Sequence, residues 1–60
     1  MNASALDRFQ HAYETAYRRD DEATMDRLNA AWDAAIDKAE QLHDGGLYSD
    51  EEVASIALED

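Results

Sequence analysis

Glu40 and His43 have the residue types and the spacing that a metal site would use. In di-iron carboxylate bundles, a Glu-x-x-His motif supplies one carboxylate and one imidazole from adjacent turns of a helix. The motif occurs once here, and on a helical wheel Glu40 lies about 110° from the centre of the apolar stripe, whereas a core ligand has to point inward. The spacing therefore favours a surface carboxylate and a histidine near a helix end, and we predict no bound metal and no cofactor.

No other pattern in the sequence predicts catalysis. His11 falls opposite the apolar stripe of its helix, with no acid or nucleophile placed to activate it. The run Asp20-Asp21-Glu22 lacks the alternating acids and the central glycine of a calcium loop. The chain has no cysteine and no nucleophile-elbow, phosphate-loop or zinc-site spacing. We therefore expect a protein that is not an enzyme.

Acidic residues dominate the charge, with 15 Asp and Glu against 5 Lys and Arg and a formal net charge of −10. Nucleic acids and anionic membranes are bound through Lys and Arg, so direct binding to either is not expected. A charged partner would be basic. No apolar run approaches the ~20 residues of a membrane span, and the first residues do not resemble a signal peptide, which predicts a cytoplasmic location.

The longest predicted helix collects its carboxylates on one side. At about 100° per residue, six of them fall within an arc of about 60°. This acidic face consists of Glu22, Asp26, Asp33, Asp37, Glu40 and Asp44, and Asp20 and Asp21 extend it at its N-terminal end. Arg27 and Lys38 lie on another flank and do not neutralise it. The face is either a solvated surface that keeps a small protein soluble or a partner-binding surface. Like charges at i,i+4 destabilise a helix by a few tenths of a kcal/mol, and a surface that is only soluble avoids this cost by interspersing Lys. The cost therefore supports the partner-binding alternative.

The elements that carry these residues are all predicted to be helical. Ser4 can cap a first helix over residues 5–19, with Asp7 completing a capping box. Its large apolar residues recur every three or four positions at Leu6, Phe9, Tyr13 and Tyr17. The change from Arg18-Arg19 to Asp20-Asp21-Glu22 marks a turn, because cations suit a helix C-terminus and acids suit the next N-terminus.

The remaining sequence predicts two more helices, at 22–44 and 50–58. The apolar stripe of the longer one keeps a spacing of three and four at Met25, Leu28, Trp32, Ala35, Ala39 and Leu42. Gly45 suits a left-handed position after this helix, and Ser49 with Glu52 forms a capping box for the last one.

The predicted fold is one all-α domain over residues 1–60. The first two helices would form an antiparallel hairpin, with the short third helix folded onto its end. The predicted core is Leu6, Phe9, Tyr13, Met25, Leu28, Trp32, Ile36, Leu42, Val53 and Ile56. Apolar surface left over on so short a chain could support a homodimer or an adaptor that binds through its apolar face.

As a whole, this short, cysteine-free, proline-free, acidic and helical chain resembles small phage-encoded inhibitors of host defence, including anti-CRISPR proteins and other DNA mimics. The resemblance implies a protein in the host-cell cytoplasm whose acidic side chains block the positively charged channel of a nucleic-acid-binding effector. The residues this would assign to partner binding are Asp20, Asp21, Glu22, Asp26, Asp33, Asp37, Glu40 and Asp44. The alternatives are the adaptor or regulatory subunit and, third, a carboxylate-bridged metal-binding bundle.

Overall fold

The computed structural model describes residues 4–59, which form three α-helices and no strand. Helix α1 spans Ala5–Arg18, α2 spans Glu22–Leu42 and α3 spans Asp50–Glu59. The prediction of a small all-α three-helix domain is confirmed. Residues 1–3, on which the signal-peptide prediction partly depends, and Asp60 lie outside the described residues. Within residues 4–59, no helix is both long enough and apolar enough to cross a membrane.

The turn between α1 and α2 forms without glycine or proline. Asp20 has a left-handed backbone with φ 53°. The N–H of Asp20 donates to the carbonyl of Tyr17 at 3.2 Å, and that of Asp21 donates to the carbonyl of Ala16 at 2.9 Å. These two bonds are those of a Schellman motif, in which aspartate takes the position that glycine most often occupies. The turn predicted from the charge change is confirmed.

The connection between α2 and α3 is longer and uses both glycines. Helix α2 stops at Leu42, and Gly45 and Gly46 have φ values of 114° and 81°. The hydroxyl of Ser49 accepts the N–H of Glu52 at 3.2 Å, so the predicted serine cap of α3 is confirmed. The Glu52 carboxylate does not complete the predicted capping box and instead hydrogen-bonds the ring of His43.

Helix α3 makes the main packing contacts of the domain. It packs more extensively against α1 and against α2 than these two helices pack against each other. Helix α3 therefore packs against both other helices and supplies Val53, Ala54 and Ala57 to the core. We call this core the alanine-rich contact, and its buried residues are Ala5, Phe9, Ala35, Ala39, Val53, Ala54 and Ala57.

Most of the large residues predicted for the core lie at its margin. Partly buried side chains pack against the alanine-rich contact at Leu6, Leu28, Trp32, Ile36 and Ile56. Tyr13 and Met25 are also only partly buried. The prediction was wrong for Leu42, which is 64% exposed. Leu42 is the last residue of α2, and the chain turns away at His43 before another element covers it.

Candidate partner-binding surface

The acidic face is exposed along the whole of α2. All of its carboxylates within the helix are exposed, namely Glu22, Asp26, Asp33, Asp37 and Glu40. Because α2 is continuous, the first and last of them are separated by about 27 Å at 1.5 Å per residue. Arg27 and Lys38 are exposed as well but lie on the other flank. The predicted one-sided charge distribution is therefore present on α2.

Asp44 is exposed but lies outside α2, so helical geometry does not place it on the acidic face. It lies in the turn after α2, because the helix ends at Leu42 and the backbone of His43 is no longer helical, with ψ 90°. Its predicted position on the helical wheel is therefore wrong. The two glycines that follow allow the chain to reverse within a few residues, and this ends the helix earlier than the predicted residue 44.

Asp20 and Asp21 have structural roles at the head of the acidic face. Asp20 supplies the left-handed residue of the turn. The carboxylate of Asp21 caps α2, accepting the Thr24 N–H at 3.2 Å and the Thr24 hydroxyl at 2.6 Å. These hydrogen bonds from Thr24 hold the pKa of the exposed Asp21 carboxyl below its usual value. Both residues are exposed, but Asp21 is already engaged within the chain.

Asp50 extends the negative region beyond α2 and Tyr48 contacts it, and neither residue was assigned to the acidic face from the sequence. The Tyr48 hydroxyl donates to Glu40 Oε1 at 3.3 Å. Loss of hydration around the phenol raises the pKa of Tyr48, and the nearby negative charge of Glu40 raises it further. Asp37 and Asp50 act in the same direction on this pKa. The start of α3 therefore lies in the negative field of the acidic face.

Glu40 and His43 point to different partners. Glu40 accepts the Tyr48 hydroxyl, whereas His43 Nε2 hydrogen-bonds Glu52 of α3. Among residues 4–59, no group of three or more His, Asp or Glu side chains is arranged to hold a metal ion. The contact between His43 and Glu52 connects the end of α2 to α3.

Glu51 makes a second polar link between helices. Its Oε1 and Oε2 accept the backbone N–H of Leu6 at 3.3 and 3.2 Å. This N–H is in the first turn of α1, where no intrahelical acceptor exists. Ser4 accepts the Asp7 N–H of the same turn at 3.1 Å, which confirms the predicted serine cap. No local motif signals the Glu51 contact, since 45 residues separate it from Leu6.

An aromatic groove runs along α1. One depression is lined by Phe9, Gln10, Tyr13, Glu14 and Tyr17. A second shares two of these residues and is lined by Leu6, Phe9, Gln10, Asn29, Trp32 and Asp50. The two depressions adjoin at Phe9 and Gln10, and we call them together the aromatic groove. Tyr17 is 69% exposed, so the side chains of the predicted aromatic stripe are not all used by the core.

The groove and the acidic face are neighbours on α2. On the helical wheel, Asn29 lies between Trp32, which lines the groove, and Asp33, which belongs to the acidic face. The molecule therefore presents ring faces and carboxylates side by side. Such a surface can bind cations by charge and by contact with aromatic rings.

The chain matches no protein-family model, no curated protein and no solved structure.

Proposed function

We propose that this protein is a non-enzymatic inhibitor of the DNA-mimic type. In this proposal, the acidic face of α2 occupies a Lys- and Arg-lined surface of a nucleic-acid-binding protein. The observation that carries the proposal is the exposure of five carboxylates on one side of a continuous helix. The resemblance to small phage-encoded inhibitors of host defence, including anti-CRISPR proteins, is part of the same proposal.

The linear geometry of the charges supports this function. Five carboxylates over about 27 Å give a mean spacing of about 7 Å, compared with about 3.4 Å between phosphates of one DNA strand. The acidic face thus copies the sign and the linear arrangement of a nucleic-acid backbone at roughly half its density. A basic channel built for phosphates can pair with such a row of carboxylates.

The local cations support it too. Arg18 is already paired with Glu14, with Arg18 Nη2 and Glu14 Oε1 2.6 Å apart. No ion pair to a residue of the acidic face is present in the described part of the chain. Its carboxylates, of which only Glu40 accepts a hydrogen bond from another side chain of residues 4–59, can therefore exchange counterions for basic side chains of a partner. Complementary charge of this kind mainly accelerates association and makes it sensitive to salt.

The test compares two variants of equal net charge. Asp33→Lys with Asp37→Lys reverses two charges of the acidic face, and Asp7→Lys with Glu59→Lys reverses two exposed charges elsewhere. Each reversal changes the charge by two units, so both variants carry −6 instead of −10. The first pair is expected to weaken binding to the basic partner at least about tenfold, whereas the control pair changes it by about twofold or less.

The partner is obtained by pull-down from a host lysate and then purified. Binding is measured by surface plasmon resonance at two salt concentrations, together with displacement of labelled DNA or RNA from that partner. A complex that forms while the nucleic acid stays bound would contradict the proposal. Equal binding of the two variants would also contradict it, and the adaptor function would replace it.

A further inference from the structure

We infer that the aromatic groove is a second contact for the same partner and receives a basic amphipathic segment, one that carries both apolar and Lys or Arg side chains. This inference rests on the proposed function, because the basic partner of the acidic face is the one that would reach the adjoining groove. A contact in the groove places a requirement on the partner that the acidic face alone does not. The partner segment has to bring apolar groups as well as cations.

The dimensions of the groove fit a short helical segment. From Leu6 to Tyr17 the groove follows 11 residues of α1, about 16 Å at 1.5 Å per residue. A helix of three turns has the same length. Amphipathic helices are commonly recognised in this way, with their apolar face in a hydrophobic groove.

The walls of the groove suit cations on that segment. The rings of Phe9 and Trp32 are 5.0 Å apart between centroids and inclined at 48°, so the floor is aromatic. Tyr17 adds a ring that is 69% exposed. The charged residues that line the groove, Glu14 and Asp50, are both acidic. Glu14 is paired with Arg18, whereas Asp50 makes no ion pair within residues 4–59. A Lys or Arg side chain can therefore lay its stem on a ring and place its charge near a carboxylate.

A second copy of this chain fits the groove less well. Each copy carries a formal charge of −10, and the acidic face lies beside the groove. A symmetric dimer formed through the groove would bring two acidic faces together and repel. A basic segment is instead attracted by the carboxylates beside the groove, so charge complementarity favours its binding over self-association.

The experiment uses two synthetic helical peptides of equal length and charge as probes. One has Lys on one face and Leu on the other, and the second has Ala in place of every Leu. Trp32 is the single tryptophan of the chain and lines the groove, so its fluorescence reports occupation of the groove. We expect the Lys/Leu peptide to bind at least about tenfold more tightly than the Lys/Ala peptide and to shift the emission of Trp32.

Matched variants locate the contact. Tyr17→Ala is expected to remove the advantage of the Lys/Leu peptide, whereas Tyr17→Phe keeps the ring and retains it. Leu42→Ala is the control, because Leu42 is 64% exposed, similar to Tyr17, but does not line the groove. Circular dichroism verifies that each variant is folded. Equal losses for Tyr17→Ala and Leu42→Ala, or equal binding of the two peptides, would overturn the groove assignment.

The two proposals fail separately in this experiment. The Lys/Ala peptide tests the acidic face alone, through the charge-reversal pair at Asp33 and Asp37 and its control pair. If that peptide distinguishes the two pairs while Tyr17→Ala has no effect on either peptide, the groove inference is wrong and the proposed function stands. If neither peptide distinguishes the two pairs, the proposed function is wrong. Self-association through the groove, measured by sedimentation with Tyr17→Ala as the comparison, would replace the basic segment with a second copy.

Discussion

The alanine-rich contact and the aromatic groove share Phe9 but otherwise differ in the size of their apolar residues. In the contact, Ala39 and Ala54 are completely buried, and Val53 is 1% exposed. In the groove, Tyr17 is 69% exposed although its side chain is far larger. Burial therefore does not follow the apolar area of the residue. Small side chains allow α3 to approach both other helices, and the large rings remain where a partner can reach them.

The direction of each side chain on α1 explains this division. The buried residues Ala5, Phe9 and Ala16 define the face of α1 that points inward. On the helical wheel Tyr17 lies about 100° from the centre of that face, and Tyr13 lies between the two. The aromatic stripe is thus wider than the face of α1 that the core covers. The residues at the outer edge of the stripe, Tyr13 and Tyr17, line the groove.

The largest effect is expected from enlarging a side chain in the alanine-rich contact. Ala39→Leu inserts a branched side chain where the alanine has no exposed surface, and overpacking of this kind costs about 1–3 kcal/mol. On a 60-residue chain such a loss is a large fraction of the total stability. Ala34→Leu, on an exposed position of the same helix, should leave the thermal unfolding midpoint nearly unchanged. Similar melting curves for both variants would show that the close approach of the helices is not what stabilises the fold.

Removing side-chain volume gives the next largest effect and compares the two regions directly. Val53→Ala should cost about 2 kcal/mol, from the lost burial of two methyl groups and the cavity that remains. Tyr17→Ala removes a larger side chain but should change the free energy of unfolding by about 0.5 kcal/mol or less, because that side chain is mostly exposed. Urea unfolding followed by circular dichroism measures both. A larger loss for Tyr17→Ala would mean that the groove is part of the core.

A smaller effect is expected from the polar link between α3 and α1. The Glu51 carboxylate accepts the Leu6 N–H at the start of α1. Glu51→Gln keeps the size of this side chain but removes its negative charge. Loss of this charge should lower the free energy of unfolding by about 0.5–1 kcal/mol at low salt. Glu59→Gln is the control, since Glu59 is an exposed acid at the far end of α3. Equal stability of the two variants would assign the packing of α3 to its apolar residues alone.

The local structure of this chain could be predicted from its sequence. The serine caps at Ser4 and Ser49, the turn at Asp20 and the helical spacing depend on residues within one or two turns of each other. These features were predicted from capping and charge patterns, and the structure confirms them. The one-sided placement of the acidic face follows from helical geometry in the same way, except at Asp44, where the helix had already ended.

The packing of α3 could not be predicted from the same patterns. Its close contact with the other helices involves the small side chains of Ala35, Ala39 and Ala54, and alanine gives a weak signal because it also favours exposed helix positions. The contact of Glu51 with Leu6 joins residues 45 positions apart, and no local motif encodes it. The groove follows from this packing, since apart from Phe9 its apolar lining consists of large residues outside the alanine-rich contact.

The smallest expected effect concerns the turn between α1 and α2, and it appears only in acid. Hydrogen bonds from Thr24 hold the pKa of Asp21 below its usual value of 3.8. A carboxyl with a lowered pKa in the folded state stabilises the fold fully above the pKa of the unfolded chain. This contribution is lost as the pH falls from near 3.8 through the lower pKa of the folded state.

Asp21→Asn tests this contribution, because asparagine can still accept the Thr24 N–H as a helix cap but does not titrate. The free energy of unfolding of the parent chain should therefore fall more steeply than that of Asp21→Asn as the pH is lowered below about 4. Asp20→Asn is the matched control, since asparagine tolerates the left-handed backbone and the Asp20 side chain does not cap the N-terminus of α1 or α2. Urea unfolding at about pH 6 and at several lower values gives the slopes for all three proteins. If Asp21→Asn and Asp20→Asn follow the same slope, the cap at Asp21 does not depend on its charge, and the acid sensitivity of the fold arises from the other carboxylates.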